Sequence, residues 1–365
     1  MKSYDRSKWE KVRLGDICSV TTGKLDANAM HPYGKYAFFT CAKEVYKINN
    51  YAFDTEALLI SGNGSHVGYV HYYKGKFNAY QRTYVLDNFS VNIIFIKHLL
   101  DNKLAKRINI EKKSGNTPYI LRNTLCDMEI LKPVSTDEQF AIVDALQCVD
   151  SCISNLEKLI SKQENIKKST INLLLKPKAD WIKKTIGDVC SFFTSSSKSA
   201  YIDPDGQYFI VDMGAVSDDG TLIAQKRTNY AHDFLHKNDL IMPKDDIGGG
   251  NIIGKAVAIQ ENDKYILSDH VYKLQTELDA TFLSYLINSP KINKYMRSMA
   301  TGSAQLGISK RTVSKCELCF PADLGQQKAI AQKLGAIDEY INNLKQQLKK
   351  QRNLKQGLMQ YFFGD

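Results

Sequence analysis

Two stretches of the chain carry the same hydrophobic rhythm. Apolar residues recur at Ile142, Leu146, Val149, Ile153, Leu156 and Ile160, in alternating steps of four and three. They recur again at Ile330, Leu334, Ile337, Ile341, Leu344 and Leu348 in the same phase. That spacing is the seam of a heptad repeat, and it predicts two long helices whose apolar stripes face a partner helix. Both stripes turn polar at Gln163 and Gln351, then recover at Ile166 and Leu354 and again at Leu173/Leu174 and Tyr361/Phe362. Thr136-Asp137-Glu138 offers a capping start, neither stretch has an interior proline, and Pro177 closes the first. A helix of about 37–40 residues spans roughly 55–60 Å, too long for a small globule to cover. The pattern therefore predicts two antiparallel helices packed on each other as a rod that holds two globules apart.

The rhythm is part of a larger repetition. Trp9-x-Lys11-Val12-Arg13-Leu14-Gly15-Asp16-Ile17-Cys18 returns as Trp181-Ile182-Lys183-Lys184-Thr185-Ile186-Gly187-Asp188-Val189-Cys190, a shift of 181 − 9 = 172. Pro133–Leu174 returns as Pro321–Phe362, a shift of 321 − 133 = 188. Two copies of this length predict two related domains with approximate two-fold symmetry. The expected boundaries are 1–134 for a first globular domain, 135–180 for a first long helix, 181–320 for a second globular domain and 321–365 for a second long helix. Within the globular parts, Ala57–Ile60, Gly68–Val70 and Tyr84–Leu86 read as strands, as do Leu240–Met242, Gly254–Ile259 and Val271–Leu274. Helical stretches follow at Val91–Ile110 and Ala280–Met299. The predicted fold class is α+β: two similar mixed α/β domains separated by two long antiparallel helices that form a coiled coil.

Charge changes this picture by pointing to an anionic partner. The net charge is +10, spread unevenly. Residues 1–134 carry 20 basic and 12 acidic side chains (20 − 12 = +8), whereas 181–320 carry 16 of each (16 − 16 = 0). A basic first domain suits nucleic acid, and a neutral second one needs a local patch to bind the same polymer. No apolar run is long enough to span a bilayer, and the start lacks a signal-peptide core, so a cytoplasmic protein with no membrane partner is expected. The eight cysteines show no zinc spacing and read as reduced structural residues.

Catalytic signatures fail one by one. Gly249–Ala256 is one residue from a phosphate-binding P-loop, but strand-like sequence follows it, and the matching loop Ser61–Gly68 has no lysine. Asp101 and Glu111-x-Lys113 have the residue types of a metal nuclease but sit on or beside a helix. No methyltransferase motif and no metal-spaced histidines are found. What remains is loop chemistry suited to phosphates and base edges. In the first half the candidates for DNA binding are Lys24, Tyr33, Lys35, Asn63, Ser65, His66, Lys74, Lys76, Gln81, Arg82, Lys112, Lys113, Asn116 and Arg122. In the second they are Ser196, Lys198, Lys226, Arg227, Asn229, Tyr230, Lys244, Asn251, Gln305, Lys310 and Arg311.

The doubled Trp…Leu/Ile-Gly-Asp-Ile/Val opening, the variable half-domain, the Pro-x5-Gln step (Pro133…Gln139, Pro321…Gln327) and the heptad helix together resemble the specificity subunit of a type I restriction-modification system (HsdS type). One departure is Leu324-Gly325-Gln326 where the first copy has Thr136-Asp137-Glu138. The resemblance implies a non-catalytic subunit that binds double-stranded DNA, each globular domain reading one half of a bipartite, asymmetric target. It implies that the helices dock two modification (methyltransferase) subunits, with restriction (motor-nuclease) subunits as further partners. The chain itself would hold no cofactor; S-adenosylmethionine and ATP would be bound by the partners. The competing class is a coiled-coil scaffold that binds proteins and no DNA.

Overall fold

The computed structural model describes residues 5–111, 119–302 and 305–364. The chain forms two compact units, residues 1–157 with 346–365, and residues 158–345. Each unit therefore holds part of both long helices, Thr136–Leu174 and Leu324–Phe363.

In the first unit a six-stranded sheet runs in the order Ser19–Thr22, Thr83–Asp87, Phe53–Ser61, Val70–Ala79, Tyr36–Phe39, Tyr46–Ile48. All neighbours are antiparallel except Tyr36–Phe39 beside Val70–Ala79. The second half of the central strand Phe53–Ser61 is apolar on both faces because both are covered there. Leu58 and Ile60 pack with Phe95, Leu99, Ile142 and Phe363, while Ala57 and Leu59 join Phe39, Phe77 and Val85. Alternation with a period of two assigns neighbours to opposite cores, which is why the run Ala57–Ile60 shows no polar position.

The second unit repeats the plan but breaks it. One sheet orders Cys190–Phe193, Val271–Thr276, Leu240–Pro243, Val257–Ala258, and another orders Arg227–Thr228, Tyr208–Val211, Tyr265–Leu267, Phe234–Leu235. The parallel pair recurs, with Ile210 opposite Ile266 as Phe38 is opposite Asn78. The long hairpin of the first unit, Phe53–Ser61 with Val70–Ala79, is thus replaced by two short ones, and one sheet becomes two. The ladder breaks where one strand carries two extra residues: Leu235 and Leu240 are five apart, but their partners Tyr265 and Ala258 are seven apart, whereas Phe53/Leu58 and Phe77/Tyr72 are both five apart. Gly254–Ile259 accordingly forms strand only at Val257–Ala258. The helical stretch Ala280–Met299 is also interrupted. It is two helices, Ala280–Asn288 and Pro290–Ser298, because Ser289 before the proline is extended (ψ 147°).

The Pro-x5-Gln step is structural. Gln139 is buried; its Nε2 donates to the Pro133 carbonyl (3.0 Å) and its Oε1 accepts from the Asn92 amide (3.1 Å). Gln327 does the same with Pro321 (2.9 Å) and Asp279 (3.0 Å). Asn92 and Asp279 in turn cap the helix that follows the last sheet strand. One glutamine therefore ties strand end, long helix and capping loop together in each unit. The long helices are capped by Ser135, which accepts from the Glu138 amide (3.4 Å), and by Asp323, which accepts from the Gln326 amide (2.8 Å). The cap thus lies one residue before Thr136, and the second copy keeps it despite its altered sequence. Glu138 instead accepts from the Trp9 indole (2.8 Å), while the Trp181 indole makes no hydrogen bond to a described residue.

The two helices pack antiparallel within each unit. In the first, Asp150 pairs with Lys355 (2.6 Å) and Glu157 with Arg352 (2.7 Å); in the second, Glu164 pairs with Lys345 (2.9 Å) and Lys167 with Asp338. Every predicted seam residue is buried or half-buried, from Ile142, Leu146, Val149 and Ile160 to Leu334, Ile341 and Leu344. The continuation of the stripe differs, since Ile166, Leu173 and Leu354 face outward. The cysteines are all unbridged, but Cys148 and Cys152 are exposed on the helix rather than packed in a core. Burial pushes the Cys18 thiol up to about 12 and the Cys190 thiol to about 11, which keeps both protonated.

Candidate nucleic-acid interface

A set of loops gathers at the Gly-rich connection in each unit. In the first, Gly62 donates to the Arg82 carbonyl and accepts from the Ile120 amide, Asn63 bridges Tyr119, and Leu25 bridges Tyr80. Gln81 Nε2 donates to Asp26 (2.9 Å), and His71 meets the Ala42 carbonyl (3.0 Å). Five segments thereby meet: Gly23–Asp26, Thr40–Lys43, Gly62–Tyr69, Tyr80–Arg82 and Tyr119–Leu121.

The same bonds recur in the second unit. Lys244 donates to the His270 carbonyl and accepts from Ile308, and Asp245 pairs with Gly307. Ser268 donates to the Val211 carbonyl as Tyr80 does to Phe39. Close packing explains the last glycine of each loop. Gly68 (φ +81°) lies where a Cβ would sit 2.6 Å from Ile108, and Gly254 (φ +68°) where it would sit 2.7 Å from Met296. The backbone scaffold is shared, and the side chains it presents are not. Where the first unit offers Arg82, the second offers His270, held between Asp245 (2.6 Å) and Asp269 (3.3 Å).

The predicted candidates divide on this frame. Lys24, Asn63, Ser65, His66, Gln81 and Arg82 lie in the first cluster, and Ser196, Lys244, Asn251 and Gln305 in or beside the second. Arg122 follows the closing segment, its Nε donating to the Val20 carbonyl (3.2 Å). Lys310 and Arg311 are exposed on a short helix, with Lys310 over the Phe192 ring (5.6 Å). Lys74 and Lys76 stand elsewhere, on the long hairpin, paired with Glu56 (3.5 Å) and Asp54 (3.9 Å). Tyr33, 90% exposed, and Lys35 are on the turn before Tyr36–Phe39. Lys226, Arg227, Asn229 and Tyr230 follow one another at an edge strand and are engaged internally: Lys226 with Asp212, Arg227 over the Phe209 ring (4.7 Å), Asn229 with Asp203 (2.6 Å). Lys112, Lys113 and Asn116 lie outside the described residues.

One candidate is corrected. Lys198 is buried (1% exposed), its ammonium bonded to Asp233 (2.8 Å), Ser195 (2.9 Å) and Ser196, with the Tyr230 ring 4.9 Å away. The lysine bond in turn holds the Asp233 carboxyl below its usual range. A charge so engaged positions the loop rather than meeting a ligand. Residues that sequence patterns do not single out also join the clusters. Lys43 lies over the Tyr69 ring (5.6 Å), and Lys294 and Arg297 line a cavity with Gly249 and Gly250. Asp101 pairs with Lys97 on its own helix (2.7 Å), and the described residues contain no group of side chains arranged to hold a metal ion. No described helix is long and apolar enough to cross a membrane.

A doubled mixed α/β unit with paired long helices and a repeated loop cluster defines a protein class, and comparison identifies it. The family model for the type I restriction modification DNA specificity domain matches twice, over residues 6–166 and 178–352, and the chain belongs to that family. It is 40% identical over 158 residues to the type I restriction enzyme EcoDI specificity subunit of Escherichia coli, a match covering 43% of this chain and 34% of that relative. In fold it is similar to the S subunit of a type I restriction-modification system from M. genitalium, with a TM-score of 0.73 at 16% identity over 100% of this chain and 98% of that one. A chain from a structure of the type I R-M system, described for its complex assembly and conformational transition, gives a TM-score of 0.54 at 13% identity, with both chains covered fully.

Proposed function

We propose that this chain is the non-catalytic DNA-recognition subunit of a type I restriction-modification complex, and that each unit reads one half of a bipartite, asymmetric target. The observation that carries this is the repeated loop cluster: one backbone frame in both units, with different side chains mounted on it. Arg and Lys prefer guanine edges and phosphates, while Asp and Glu accept from cytosine amino groups. Arg82 in one frame and the Asp245–His270–Asp269 group in the other therefore suit different base pairs. The paired helices act as a ruler and as the docking surface for two modification subunits. Those subunits supply S-adenosylmethionine and transfer its methyl group to adenine; restriction subunits supply ATP-driven motion and cleavage.

Co-expression with the modification subunit, followed by mapping of methylated adenines, tests the reading. The expected result is one interrupted, non-palindromic motif. Methylation without such a motif, or none at all, rejects it.

A further inference from the structure

The globular part of the second unit, residues 181–320, carries as many acidic as basic side chains (16 − 16 = 0), yet on the DNA-recognition reading it must hold a polyanion. Its Gly-rich loop is longer than its counterpart. Gly62 and Lys244 occupy matching positions (244 − 62 = 182), as do Gly68 and Gly254 (254 − 68 = 186), so the second loop has four extra residues. That longer loop contains Gly249 and Gly250, which together with Asn293, Lys294, Arg297 and Ser298 of the helix Pro290–Ser298 line an open surface cavity of about 440 Å³.

The lining has the chemistry of an anion site. Gly249 (φ +87°) and Gly250 (φ +82°) both lie in the left-handed region, and neither amide donates to another described residue. Lys294 and Arg297 are exposed, and neither pairs with a described carboxylate. The acid nearest in sequence, Asp246, is turned inward; it is buried and accepts from the Gly248 and Ile252 amides, which fixes the loop. Burial, and after it the Arg297 charge, holds the Lys255 ammonium below its usual range, against the opposing pull of Asp219 and Asp218. In the first unit the position matching Arg297 is the uncharged Asn109 (297 − 109 = 188), so that cation has no counterpart there.

We propose that the cavity bounded by Gly249, Gly250, Lys294 and Arg297 binds a backbone phosphate of the DNA duplex, giving the neutral stretch 181–320 its own sequence-independent anchor. This rests on the DNA-recognition reading above. The loop amides and the two cations supply donors, and the adjoining cluster is left to read bases.

The test uses the chain assembled with its modification subunits, and duplexes with and without the methylated motif. Wild type and the Lys294→Ala/Arg297→Ala variant are titrated across a range of salt. The variant is expected to lose affinity by a similar factor for both duplexes, and its slope of log K against log salt should be shallower by about 1–2. Arg297→Lys should keep most of the slope. An unchanged slope, or a loss confined to the motif duplex, overturns the proposal. So does saturable binding of inorganic phosphate by the DNA-free wild type that is abolished in the variant while the DNA slope stays the same, since that describes a free-phosphate site. If wild type itself shows no DNA binding, the recognition reading fails instead.

Discussion

Replacing Gln327 by leucine isolates the contribution of the Pro-x5-Gln step. The side chains are similar in size, so the cavity left behind is small, and the loss is mainly polar. Two groups lose partners: the Pro321 carbonyl, whose bond is buried, and the Asp279 amide, whose bond is partly buried. A buried group left unsatisfied costs about 1–3 kcal/mol. With the carbonyl at the upper end and the partly hydrated amide at the lower, the sum is about 3–4 kcal/mol. That is a large share of the roughly 5–15 kcal/mol that stabilises a domain. Urea unfolding followed by fluorescence should show the transition of the second unit moved to lower denaturant with its slope retained. Gln327→Glu keeps an acceptor for Asp279 but buries an unpaired carboxylate against the Pro321 carbonyl, so at neutral pH it should cost at least as much as Gln327→Leu. A loss below about 1 kcal/mol for Gln327→Leu would refute the clasp.

Further outcomes follow from packing and charge. Leu334→Ala, at a fully buried seam position, should cost about 2–5 kcal/mol, whereas Leu354→Ala at the exposed continuation should cost well under 1 kcal/mol; equal losses in thermal unfolding would contradict the packing described. Replacing both Leu156 and Leu344 by aspartate should disrupt helix pairing and the binding of modification subunits, and retained assembly at normal affinity would reject the paired-helix ruler. His98 is 4% exposed, neither ring nitrogen has a hydrogen-bond partner among the described residues, and burial holds its pKa below the ordinary value. The unfolded chain therefore binds this proton first, so stability holds above about pH 6.5 and falls below it, by up to about 1.4 kcal/mol per pH unit. His71 is shifted in the same direction, also by burial. His98→Leu should thus reduce, without removing, the decline between about pH 6.5 and 5.5, and an unaltered decline would show that His98 does not contribute.

The parts of this molecule that are legible in sequence are those with short-range period. The seam from Ile142 to Ile160 and from Ile330 to Leu348 repeats every three or four residues, so its buried face can be read directly. The same rhythm misleads at Ile166 and Leu354, where the apolar period continues but the neighbouring surface does not. Ala57–Ile60 is readable as strand because both its faces are covered. The division of the second sheet is not, because it depends on residues inserted between strands that pair across long separations. Lys198 shows the same limit at the site. Its neutralising partner Asp233 lies 35 positions away (233 − 198 = 35), and only the fold brings them to 2.8 Å. Lys294 and Arg297 belong to a helix that reads as an ordinary amphipathic segment until the fold sets the glycine loop beside it. The correspondence Gly62/Lys244 and Gly68/Gly254 is present in the repeat, and it locates the longer loop.

Exchange of one reader tests the central claim most directly. The globular part of the first unit, residues 1–132, is replaced by its counterpart from a relative that directs methylation of a different motif, leaving the helices and second unit intact. Mapping of methylated adenines should then show one half of the interrupted motif changed, with the other half and the spacer length preserved. A motif unchanged by the exchange, or altered in both halves, would contradict two independent readers set on a common ruler.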